Sequence, residues 1–166
     1  MQKCTQQVDA AEKVISVATS GIDHWRLHVK AQTDHLNGTI SRTQMEAEFK
    51  RTKLLGPGDK TAWEAATKAW REDDKACAPV AGADKQSATT LQVCSTRLTA
   101  IETAMPAARA AMGDWFAHQR AMARSAEGLE ADPMGVWMHT YYAAPKNLNA
   151  WAAAKRQLDR VPQCAG

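Results

Sequence analysis

Three of the five histidines in this 166-residue chain fall within one short run, DHWRLHVKAQTDH, residues 23 to 35. His24 and His28 stand four residues apart, which on a helix puts both imidazoles on one face within reach of a single ion. His118 and Met122 repeat that spacing farther along the chain. Imidazole suits copper, zinc and nickel, whereas a thioether selects copper, Cu(I) above all. The donor set that follows is His24, His28 and His118, supported by Met122, Met138 and His139, and the chemistry is noncatalytic binding of a metal ion, copper first. Asp114, one turn before His118, is placed to act as a carboxylate ligand or to orient that imidazole.

The same residues have a plainer reading. At about 100° per residue, the stripe through His24, His28 and His35 is displaced by about 100° from the centre of the apolar face at Ile22, Trp25 and Val29. Flank positions are where ordinary polar boundary residues sit, and methionine is a flexible filler of core gaps. His35, beside a loop, reads as solvated. The alternative function is therefore a structural or protein-interaction module that binds no ion. Its contacts would fall on helix faces or on the segments near GPGD (56–59) and Pro145. Enzymatic chemistry is not expected. The chain has no Glu-x-x-His pair for a di-iron site, no HExxH, no phosphate-binding glycine loop and no GxSxG.

These side chains need long helices to position them, and the sequence supplies the pattern. Val8, Ala11, Ile15, Ala18, Ile22, Trp25 and Val29 recur at helical spacing, predicting a helix from about Thr5 to Leu36 that stops at Asn37–Gly38. Ser41 and Gln44 form a capping box, with Ile40 and Met45 set as a hydrophobic staple, opening a second helix at about Arg42. GPGD is expected to interrupt that helix, which resumes from Lys60 to Cys77 with Trp63, Ala66 and Trp70 inward. A third helix is expected from about Ala88 to Ala126, bent at Pro106. Asp132–Pro133 caps and starts a fourth, reaching about Val161 with a break or kink at Pro145. Long helices on short loops pack as antiparallel neighbours. The expected fold is all-α: one up-down-up-down four-helix-bundle domain over residues 1–166.

In that bundle Cys4, Cys77, Cys94 and Cys164 all fall at one end, and no CxxC or CxxCH spacing occurs. Disulfides are expected, with Cys77–Cys94 and Cys4–Cys164 favoured over Cys4–Cys77 with Cys94–Cys164. Disulfides imply an oxidising compartment, so the protein is expected to be exported: periplasmic, extracellular or surface-anchored. The histidines fall at the opposite end. His28, His118, Met138 and His139 lie some 9–11 residues from their hairpin turns, within about one helical turn of a common height at ~1.5 Å per residue.

A formal charge of +3, from 21 basic and 18 acidic residues mixed along the chain, gives no reason to expect a nucleic-acid partner. No apolar run is long enough for a transmembrane segment. No signal peptide is written at the start. Met1-Gln2-Lys3 leads straight into a helical pattern and reads as a mature or shortened chain with an added Met. The expected partner is thus a metal ion or another protein.

Overall fold

The computed structural model describes residues 1–70 and 75–164. It is all-helical, with four helices: α1 (Gln2–Leu36), α2 (Arg42–Ala69), α3 (Lys85–Ala126) and α4 (Pro133–Leu158). The starts are set by side chains. The Ser41 hydroxyl accepts from the Gln44 N–H while the Gln44 side chain accepts from the Ser41 N–H, forming the expected capping box. Asp84 caps α3 at Ser87, and Asp132 caps α4 at Gly135 with Pro133 in the first turn.

The interruption expected at GPGD does not occur, and α2 and α4 run through Pro57 and Pro145 without a break. In α2 the reason is a heptad. Met45, Thr52, Asp59 and Ala66 are all buried, so the inward stripe continues through the glycines and packing holds the helix together. Gly56 also has a packing role, since a Cβ there would stand 2.2 Å from the Gln119 amide nitrogen of α3. In α4, Ala144 and Leu148 are buried on either side of Pro145. The second helix ends at Ala69 rather than at Cys77. The part of that expected helix over residues 71–74 lies outside the described residues.

The four helices are not equivalent. α1 and α3 each bury twelve residues, against five in α2 and four in α4. α1 packs closely on both α2 and α3, and α3 on both α1 and α4, with little backbone contact between α2 and α3 or between α1 and α4. The central pair runs parallel: Glu12 meets Arg97, Trp25 stacks on Trp115 and His28 meets His118 in ascending order. The bundle is therefore flattened, with α1–α3 as its short diagonal and α2 and α4 as outer helices. Its core is filled by Trp25, Trp115 and Trp151 with Ile22, Ile101 and Met112.

This flattening explains the disulfides. The bridges are Cys4–Cys77 and Cys94–Cys164, and the favoured pairing of Cys77 with Cys94 and Cys4 with Cys164 is overturned. Because α2 lies against α1 and α4 against α3, the tail following each outer helix ends beside its own central helix. Each bridge fastens one such tail. At the same end the buried Arg97 donates to Glu12 and to the carbonyls of Leu158 and Val161, pinning the end of α4 onto α3.

Candidate functional site

At the opposite end, His28 of α1 and His118 of α3 meet with their Nε2 atoms 3.0 Å apart. Both residues are almost fully buried, at 2% and 1% exposure. A flank position on α1 is interior here because α1 is central: α2 covers the His24/His28 flank while α3 covers the Trp25 side. His28 stacks on Phe49 of α2 at 4.2 Å, and His118 packs on Trp25 at 4.8 Å between ring centres.

Hydrogen bonds assign the proton positions. The Thr52 hydroxyl donates to the Glu48 carbonyl at 2.8 Å, so its oxygen is left to accept from His28 Nδ1–H at 2.7 Å. The Nε2 of His28 then carries a lone pair, which accepts from His118 Nε2–H. His118 Nδ1 is left buried without a protein partner among the described residues. Both rings are neutral at physiological pH. Burial, followed by repulsion from His118, lowers the pKa of His28 to about 3, and burial lowers that of His118 to about 4.

The pair forms the floor of a cavity of about 290 Å³. The outer helices wall it, with Phe49 and Lys53 from α2 and Val136 and Trp137 from α4. Met122 of α3 and Met134 of α4 also line it. Two nitrogens 3.0 Å apart are within the span of two ligands on one ion, each at ~2.0–2.1 Å. Among the described residues, no group of three or more His, Cys, Asp or Glu side chains converges anywhere. The thioethers that line the same cavity are those of Met122 and Met134.

Of the six residues expected to bind metal, three come together at this cavity: His28, His118 and Met122. His24 lies one turn deeper, its Nδ1 donating to the Asp59 carboxylate at 2.9 Å. Asp59 also accepts from Trp115 Nε1–H, at 2.9 Å. Met138 is half-buried and His139 exposed, and neither lines the cavity. Asp114 accepts from Asn147 rather than from His118. His35 Nδ1 lies 3.3 Å from the Ile40 carbonyl beside the first loop.

Thr52, Asp59 and Phe49 were not expected at the site. The first two had a signal, because both sit on the heptad that continues inward to Ala66. Reading GPGD as a break hid that stripe. Comparison with protein-family models, curated proteins and solved structures finds no match for this chain.

Proposed function

We propose that this is an exported, noncatalytic metal-binding protein that holds one soft ion, Cu(I) before any other, between His28 and His118 with help from the Met122 thioether. The carrying observation is the convergence of two buried imidazoles from different helices, Nε2 to Nε2, at the floor of a cavity that Met122 also lines. His28 needs no change of tautomer to ligate, because its Nδ1–H is held by Thr52 and its Nε2 lone pair is free once His118 gives up the proton that it shares. A hydrogen-bonded far nitrogen of this kind is what fixes a ligating imidazole. His118 must move its proton from Nε2 to Nδ1, and the two Nε2 lone pairs then turn toward an ion beside the line that joins them. Two imidazoles and a thioether, with no carboxylate, make a set for a soft ion of low coordination number, unlike the closed four-donor sites of structural zinc. His24, Met138 and His139 are left out of this set. Export is supported by the two disulfides, which persist in oxidising compartments.

The test is titration of the oxidised protein with Cu(I) against a competing chelator, with zinc in parallel. One ion per chain is expected, lost in the His28→Ala/His118→Ala double variant and kept in His139→Ala, with helical circular dichroism unchanged. Should the double variant fail to fold, Met122→Leu serves instead and is expected to weaken Cu(I) binding without affecting the helices. Weak, nonstoichiometric uptake that none of these changes alters would contradict the assignment and favour the interaction-module reading.

A further inference from the structure

The cavity is larger than an ion requires, and its walls have a distinct chemistry. Phe49 and Trp137 meet edge to face in its wall, with ring centres 5.4 Å apart and planes at 78°. With Met122, Val136 and the two imidazoles they make an aromatic and polarisable surface. Lys53 is the one fully charged side chain in the lining, which contains no carboxylate. The Lys53 ammonium is exposed and makes no ion pair among the described residues, although α2 carries intrahelical pairs at Arg42–Glu46, Arg51–Glu48 and Lys60–Glu64. At about 290 Å³ the space falls at the small end of ligand pockets, which run from about 300 to 1,000 Å³.

We infer that the cavity over His28 and His118 is a binding site for a small aromatic carboxylate of one or two fused rings, its ring laid against the wall that Phe49 and Trp137 form together and its carboxylate at Lys53. The ring fits because aromatic side chains pack best edge to face or offset against another ring. The carboxylate fits because a lone ammonium at an apolar rim attracts an anion, with no acid in the lining to oppose it. This assignment does not rest on the metal reading, since apolar walls and Lys53 suffice for it.

The experiment is calorimetric titration of metal-free protein, kept in chelator, with naphthalene-2-carboxylate, naphthalene-2-carboxamide and octanoate. The aromatic acid is expected to bind one per chain and tighter than either of the others. Lys53→Met is expected to weaken the acid about fivefold, as loss of a roughly 1 kcal/mol exposed ion pair implies, and to leave the carboxamide unchanged. Val136→Trp, which fills the cavity from α4, should abolish binding of the acid. No binding, equal binding of acid and amide, an acid affinity insensitive to Lys53→Met, or tighter binding of octanoate each overturns the assignment. Because no metal is present, failure here leaves the Cu(I) titration to stand or fall separately.

Discussion

The two ends of this bundle treat buried polar groups in opposite ways. At the cysteine end the buried charge of Arg97 is met by a carboxylate and two backbone carbonyls, and covalent bridges close over it. At the histidine end the buried imidazoles of His28 and His118 are neutral, and His118 is incompletely partnered. Of the five buried side-chain atoms without a protein partner among the described residues, four lie toward this end: Trp25 Nε1, Gln32 Oε1, His118 Nδ1 and Gln119 Nε2. A buried polar group without a partner is costly and is a place to look for function. One end is built to hold the chain together. The other leaves polar atoms unpartnered, His118 Nδ1 among them beside a cavity.

The largest effect that separates the ends is covalent. The bridges span 73 and 70 residues of sequence, so chain-entropy arguments give about 4 kcal/mol for each. Reduction is expected to lower the denaturation midpoint steeply, as measured by urea titration with and without reductant. Next is Arg97→Ala, which strands Glu12 and two carbonyls and is expected to cost about 3–5 kcal/mol by the same titration. Rescue by a lysine at this position should be partial, because a single ammonium cannot reproduce the guanidinium fork.

Acid then acts on the other end. In the unfolded chain both imidazoles titrate near 6.5, while in the fold they stay neutral to about 3 for His28 and about 4 for His118. The unfolded state therefore binds more protons below pH 6.5. The stabilisation is complete above that pH and falls away as pH drops toward the folded values. By about pH 5 the loss should be roughly 2 kcal/mol per imidazole. Urea midpoints across pH 7 to 5 check this. Arg97→Ala should keep the slope, and His28→Phe/His118→Phe should abolish it. The smallest effect is Thr52→Val, which removes the acceptor of His28 Nδ1–H. It is expected to cost about 1–3 kcal/mol in stability and about 10–100-fold in Cu(I) affinity.

The helices and their caps were legible because apolar periodicity and capping residues are local signals. Ser41, Asn37–Gly38 and Asp132–Pro133 marked the boundaries as expected. The lateral order of the helices was not. An amphipathic stripe says that a helix packs, not which neighbours it has, and a square bundle permits either of two disulfide pairings. Only the closeness of α1 and α3 selects Cys4–Cys77 with Cys94–Cys164. The same geometry decided the histidines. Reckoned from the apolar stripe alone, His28 sits on a flank. With α2 over one side of α1 and α3 over the other, that flank is interior. His24 shares it but meets the carboxylate of Asp59, the last residue of GPGD, where the sequence pattern predicts a break.

The most direct test of the central claim is long-range ¹H–¹⁵N correlation of the five histidines, recorded from pH 7 to 5 without metal and again with one equivalent of Cu(I). The expected result is two imidazoles that stay neutral throughout, His28 protonated at Nδ1 and His118 at Nε2, and that alone shift at Nε2 when the ion is added. Cu(I)-induced shifts at His24, His35 or His139 instead, or protonation of His28 and His118 near pH 6.5, would contradict it.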